Sequence, residues 1–329
     1  MARIIDVARA AGVSVSTVSH VLSKKRTISA ETTERVLAAI RELGYEPDPN
    51  AQALRGRKTG IIGFIASNIT ELFASQIIQG AERAARERNS FILFASAADF
   101  DYDLREAVRF VKRRHVDGLI ISFGISQSIG EELFSRIEIP VVAVNTRLSE
   151  TRPSVMPDNE EGGIFAARHL LERGARRLAM IAGPRDRIAS SERVAGFLRG
   201  CSEAGLALLE SRHLYFGDFS PASGAEGLRY LLRLNPELDG VFCANDFMAA
   251  GAMNEAAAQG LAVPERLRLL GFDNREFTAF WPTPISTFAP PLQDMGQIAA
   301  ETLFDLIEGL HPDSMDIKLH PSLIHRQST

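Results

Sequence analysis

Ser16 and His20 stand four residues apart, one turn of an α-helix, so a helix through them carries a hydroxyl and an imidazole on one face. Val18, Val21 and Leu22 point the other way and leave Val15, Ser16, Thr17, Ser19 and His20 outward. Small polar side chains let a helix lie close to base edges in a DNA major groove. There Ser16 and His20 can hydrogen-bond, and Val15 can touch a thymine methyl. A second group of polar residues follows short apolar runs: Ser67-Asn68, Asn145, Asn245-Asp246 and Asp273-Asn274. Any one of these is an ordinary turn or cap. Four at strand ends suggest a ligand site, because open parallel sheets bind ligands beyond the carboxyl ends of their strands.

Catalytic patterns are missing. The chain has no phosphate loop ending in Gly-Lys-Ser/Thr, no strand-linked GxGxxG and no GxSxG elbow. Cys201 and Cys243 are too few for a disulfide framework and read as core packing in a reducing compartment. His311, His320 and His325 are spaced by nine and five, which matches no usual zinc pattern, so no metal site, catalytic residue or cofactor is expected. The N-terminus MARIIDVARA lacks the pattern of an export signal, and no apolar run approaches the length of a membrane span. These features point to a cytoplasmic protein without a membrane partner.

Three short helices must position the Ser16–His20 face. Apolar residues recur at helical spacing through Val7, Ala8 and Ala11, then Val18, Val21 and Leu22, then Val36, Leu37, Ile40 and Leu43. Gly12 suits a sharp turn after the first helix, and Ser14 and Ser29 suit the caps of the second and third. This is the pattern of a helix-turn-helix. Residues 1–58 hold ten Lys and Arg against six acids, a balance of +4, which leaves −8 for the rest of a chain whose net charge is −4. A basic head suits a polyanion.

From Thr59 onward, apolar runs alternate with amphipathic helices. Strands are expected at 60–65, 91–94, 118–121 and 141–144, and a second series at 178–181, 214–216, 240–243 and 267–270. Helices are expected near 72–88, 101–114, 129–136, 160–173, 191–205, 221–234, 246–259 and 292–309. The fold class is therefore a small all-α helix-turn-helix head plus an α/β body of two doubly wound parallel-sheet lobes with a cleft between them. The expected division is a head at 1–45, a linker at 46–58 and a body at 59–329. Its first lobe is expected near 59–158 and 286–318, and its second near 159–285 and 319–329.

The chain resembles the lactose/galactose repressor family of bacterial transcription regulators. The resemblance runs through Asp6-Val7-Ala8-Arg9-Ala10-Ala11-Gly12-Val13-Ser14, Thr17-Val18-Ser19-His20-Val21-Leu22 and Leu43-Gly44-Tyr45. It continues in Asp158-Asn159-Glu160-Glu161-Gly162-Gly163, Arg193-Val194-Ala195-Gly196-Phe197, Ala244-Asn245-Asp246 and Gly271-Phe272-Asp273. It implies a periplasmic-binding-protein-like body and a homodimer, or a higher oligomer, that binds palindromic double-stranded operator DNA. It also implies a hinge helix at Asn50–Arg55, with Asn50 and Ala51 at the DNA and Leu54 wedged into the minor groove. A small-molecule effector, expected to be a sugar, would then meet Arg193, Asn245 and Asp273, with Phe219 stacked on it and Phe73 or Trp281 over its apolar face. A purine, nucleoside or phosphorylated-sugar co-repressor is the alternative effector; an exported sugar-binding protein or an enzyme is the competing class. Departures from the family pattern are Arg3 in place of a Thr or Ser cap, His20 in place of Arg, Asn145-Thr146 in place of Asp-Arg, and Thr70-Glu71-Leu72-Phe73 in place of Asn-Pro-Phe-Phe.

Overall fold

The computed structural model describes residues 2–23, 26–45, 58–66, 72–96, 102–122, 134 and 137–329. The linker 46–57, with Asn50, Ala51 and Leu54, lies outside the described residues, as do Ser67-Asn68, Thr70-Glu71, most of 129–136 and the side chain of Phe73. The chain forms two compact units that divide between Thr59 and Gly60.

In the first unit, helices α1 (Ile4–Ala11), α2 (Val15–Ser23) and α3 (Ala30–Leu43) close on Val7, Ala8, Ala11, Val18, Val21, Val36 and Ala39. Gly12 takes φ 64°, the left-handed conformation that ends α1, and the Val13 amide donates back to Ala8 O at 3.0 Å. Arg35 of α3 donates to Ala11 O at 2.6 Å and so braces the same turn. Arg3 gives α1 no side-chain cap; Asp6 accepts from the Arg3 amide at 2.9 Å and closes the helix start from inside. Leu37 and Leu43, which share the helical apolar spacing of α3, are each 37% exposed, because two neighbouring helices cover only a narrow stripe of α3.

The second unit carries two six-stranded sheets among the described residues. The first runs β2 (Phe91–Ser96), β1 (Ile61–Ala66), β3 (Gly118–Ser122), β4 (Val141–Val144), β5 (Ser154–Pro157) and β11 (Asp316–Leu319), all parallel. The second runs β7 (Leu214–Phe216), β6 (Leu178–Ala182), β8 (Gly240–Cys243), β9 (Arg268–Phe272), β10 (Ser286–Ala289) and β12 (Ser322–Ile324), with only β12 antiparallel.

One expectation is corrected here. Residues 286–289 do not return to the first lobe, because Ser286 pairs with Leu270 and Phe288 with Phe272 in the second sheet. The chain leaves that sheet at Pro290-Pro291, two residues with no N–H to offer a ladder. The first lobe resumes with helix Leu292–Ile307. Strands β5, β11 and β12 were not foreseen; they are short and interrupted by polar residues, so no apolar run marks them.

Helices pack directly against each other at glycines. Helix Asn159–Glu172 meets helix Ile188–Glu203 at Gly163 and Gly196, and helix Pro221–Leu234 meets helix Asp246–Ala258 at Gly224 and Gly251. A Cβ on Gly196 would lie 1.9 Å from the Glu160 carbonyl oxygen, which belongs to a backbone that cannot rotate away. Gly196→Ala should therefore destabilise the body by about 1–3 kcal/mol or more through overpacking. A urea midpoint equal to that of wild type would show that these helices separate at no cost.

Candidate functional site

In the head, the Thr17 amide donates to Ser14 Oγ at 3.1 Å, the cap expected from the sequence. Ser14 Oγ also lies 2.7 Å from Ser16 Oγ and 2.9 Å from Thr17 Oγ1, so these hydroxyls order the first turn of α2. Ser16 is exposed and Ser19 and His20 are half-buried, on the side of α2 opposite Val18 and Val21. Val15 does not stand outward as expected. It packs half-buried on the head's core, because the first turn of α2 leans on the α1 turn. The open face of α2 is therefore polar and built of Ser16, Ser19 and His20.

In the body, the polar residues converge on one guanidinium. Arg193 is 5% exposed on helix Ile188–Glu203. Its Nε donates to Asn159 Oδ1 at 2.9 Å, its Nη1 donates to the Ala244 carbonyl, and its Nη2 lies 3.9 Å from Asp273 Oδ1. The Phe272 ring lies flat enough beneath it to place Cζ 3.5 Å from the ring centroid. Burial lowers the Arg193 pKa and the neighbouring carboxylates oppose that, so the group stays a cation. The fixed cation and Asp273 set a donor and an acceptor side by side at the strand ends.

Asn245 is placed by the same strand end, but its side chain is largely occupied. Its Oδ1 accepts from the Met248 amide at 2.8 Å as a helix cap, and its Nδ2 donates to the Phe219 carbonyl at 3.0 Å. That bond helps hold Phe219 at φ 68°, a strained conformation for a bulky residue, with its ring against Gly183. A Cβ at Gly183 would sit 2.2 Å from the ring. Asp218, just before it, is pulled down to about 2 by hydrogen bonds from Ser220 and Ser223, which stiffens the same turn. Asp273 at φ 110° and Asn145 at φ 55° also take left-handed conformations where strands β9 and β4 end.

The described contacts pair Arg193 with Asp273 and Asn245 with Phe219, and the Ala244 carbonyl that Arg193 binds stands next to Asn245. Asn145 ends a strand of the other sheet. Trp281 belongs to a separate aromatic set, edge-on to Phe277 with centroids 5.9 Å apart, and Phe277 stacks on Phe247.

Sequence reasoning gave no role to Asn159 and read Asp246 only as one of the strand-end polar residues of a ligand site. Asn159 is fully buried, and its Nδ2 donates to Glu192 Oε2 at 3.0 Å, while Glu192 lies 3.5 Å from Lys318 of β11. Arg193 is thus tied to the first lobe through Asn159, Glu192 and Lys318. Asp246 accepts from Thr287 Oγ1 at 2.6 Å and from the Arg275 amide at 2.7 Å. Burial and the charge of Asp273 push its pKa well above the usual carboxylate range. The pair Asn245-Asp246 was visible as a strand-end polar pair; the burial of its acid was not. Burial also pushes the Cys201 thiol up to about 12 and the Cys243 thiol higher than usual, so neither is a nucleophile near neutral pH.

Comparison with known proteins agrees with both units. Residues 3–48 match the model for bacterial regulatory proteins of the lacI family, and residues 167–329 match the periplasmic binding protein-like domain. The whole chain is 31% identical to the HTH-type transcriptional repressor PurR of Aliivibrio salmonicida, covering 99% of it, and 33% identical to PurR of Erwinia tasmaniensis, covering 97%. Among solved structures, the lac repressor dimer bound to operator and the anti-inducer ONPF superposes with TM-score 0.82 at 26% identity, covering 100% of this chain and 99% of that one. The CelR–cellobiose complex superposes with TM-score 0.75 at 29% identity over the full length of both chains.

Two substitutions test the site. Arg193→Ala leaves Asn159 Oδ1 and the Ala244 carbonyl without their donor, removes the cation from beside Asp273 and should cost the body about 3–5 kcal/mol, read by chemical denaturation. For Asp246, the unfolded carboxyl ionises near pH 4 (about 3.9) and the folded one higher. Between those values the folded state binds more protons, so stability is full below the unfolded pKa and falls as pH rises through the folded one. Asp246→Asn should flatten that slope; a slope equal to wild type would assign the titration elsewhere.

Proposed function

This chain belongs to the lacI family of bacterial regulatory proteins, and on that premise we propose that it represses transcription as a homodimer on a palindromic operator, under control of a sugar bound between its lobes. It is a DNA-binding transcriptional regulator and not an enzyme. Among the described residues no helix is long and apolar enough to cross a membrane; we place its work in the cytoplasm, where the operator is.

The observation that carries the effector reading is the buried Arg193 guanidinium beside Asp273 at the carboxyl ends of β8 and β9. A cation and a carboxylate side by side suit vicinal hydroxyls, each of which donates one hydrogen bond and accepts others. Phe219 supports this, since an aromatic ring covers the apolar face of a pyranose. The solved relative with cellobiose shows one saccharide held by a protein of this architecture. A purine or nucleoside is the second reading, favoured by the same Phe219, because a planar base stacks on it equally well.

For DNA, we propose that Ser16, Ser19 and His20 on the open α2 face read bases, with Thr17 ordering the turn, and that the half-buried Val15 adds only a flanking apolar contact. Asn50 and Ala51 are proposed to meet the DNA and Leu54 to enter its minor groove. An imidazole makes one contact where an arginine fork makes two.

Two measurements check these readings. On an operator selected from a random library, affinity should fall about 10³-fold or more between about 50 and 200 mM salt if roughly six or more phosphates are engaged. His20→Arg should shift preference toward guanine at one position per half-site. A flat salt response or an unchanged preference would remove α2 from the interface.

The effector reading is checked by thermal shift with D-glucose, D-galactose and cellobiose against hypoxanthine and guanine. A true ligand at about 100 times its Kd adds roughly 2.7 kcal/mol. A shift with the nucleobases alone would replace the sugar by a purine.

A further inference from the structure

We propose that Asp158, Glu161 and His320 form a binding site for a divalent transition-metal ion of the zinc type, located where the chain passes twice between the lobes. The register of the first sheet creates it. Pro157 pairs with Leu319 at the end of the β5–β11 ladder, so Asp158 and His320 leave the sheet side by side, and the Asp158 amide donates to Leu319 O at 2.7 Å. One ligand atom from each of the three residues lies within 4.8 Å of the other two.

The local hydrogen bonds leave one Asp158 oxygen outside the helix cap and turn Glu161 and His320 toward each other. Asp158 caps helix Asn159–Glu172 through Oδ1, which accepts from the Glu161 amide at 3.0 Å; its second oxygen is not needed for the cap. Glu161 stands at the third helical position, where a glutamate ordinarily returns to the cap residue's amide. Here Leu319 O already takes that amide, and the Glu161 carboxylate turns instead to His320 Nδ1, with which it pairs. Neighbouring acids have cations of their own: Glu160 has Arg199, and Glu192 has Lys318. Among the described residues no Lys or Arg pairs with Asp158 or Glu161.

The donor set decides the class of ion. One imidazole nitrogen with two carboxylates suits zinc and its neighbours, whereas magnesium and calcium take oxygen ligands throughout. His320 has a side chain 76% exposed, which leaves an entry path and room for water to complete the coordination. The positive end of the helix opposes a cation, so the nitrogen ligand is needed for useful affinity. Because the donors come from two crossing segments, the ion fastens those segments to each other. Sequence spacing could not have shown this, since His320 lies 159 residues from Glu161.

The test uses the tag-free full chain, stripped with chelator and desalted, titrated with ZnCl2 by calorimetry. Saturable binding of a single ion is expected. His320→Ala and Glu161→Gln should each weaken it by about 10- to 100-fold or more, while His311→Ala leaves it unchanged. Cobalt(II) should give a visible d–d spectrum that His320→Ala abolishes. Affinity should fall on acidification, as protons compete for the imidazole and the carboxylates. Absence of saturation, equal zinc affinity in both variants, or equal affinity for MgCl2 would overturn the proposal. Each arm reads metal alone and is independent of operator and effector.

Discussion

A buried guanidinium organises the body. Taking Arg193 out of water is costly unless each face of the group is met, and the second lobe meets it from four directions: the Asn159 amide, the Ala244 carbonyl, the Phe272 ring and the Asp273 carboxylate. Those partners belong to the start of helix Asn159–Glu172 and to the ends of β8 and β9. The charge can be housed only if these elements end at the same level. The left-handed conformation of Asp273 follows from that demand, since the backbone must turn sharply after β9 to bring the carboxylate beside the guanidinium.

The arrangement has a consequence for regulation. Asn159 bonds Arg193 on one side and Glu192 on the other, and Glu192 faces Lys318 of the first sheet. A ligand that engaged Arg193 would act on a group already linked to the other lobe. It shifts any equilibrium between lobe arrangements only by its differential affinity for them. The link is made of exposed and half-exposed charges at the Lys318 end and of buried, hydrogen-bonded groups at the Arg193 end, so the ligand end is the stiffer of the two.

The head solves a smaller problem by different means. Seven small buried side chains make a core too thin to hold three helices by burial alone, and directed bonds supplement it: Arg35 to the Ala11 carbonyl, Ser14 and Ser29 at the helix starts, Asp6 at the Arg3 amide. These bonds fix where α2 begins. The side chains on its open face keep a defined orientation because its first turn is pinned at Ser14.

The sequence by itself determined the elements whose signal is local. The three head helices, Gly12, Ser14 and Ser29 were legible because caps, turns and helical spacing depend on residues within four positions of one another. The strands β1, β3, β4, β6 and β8 were legible because fully buried parallel strands are continuous apolar runs. Tertiary structure decided the rest. Ser286–Ala289 joins the second sheet because β9 offers it a free edge, which nothing within the segment encodes. Val15 turns inward, and Leu37 and Leu43 remain part-exposed, because the number of neighbours around a helix is not a property of its own spacing. Arg193 was named from its resemblance to a family position. That it bonds Asn159, and that Asp246 carries a raised pKa, depend on burial by segments tens of residues away. Desolvation is a property of the packed surroundings, and a sequence shows those only after it has folded.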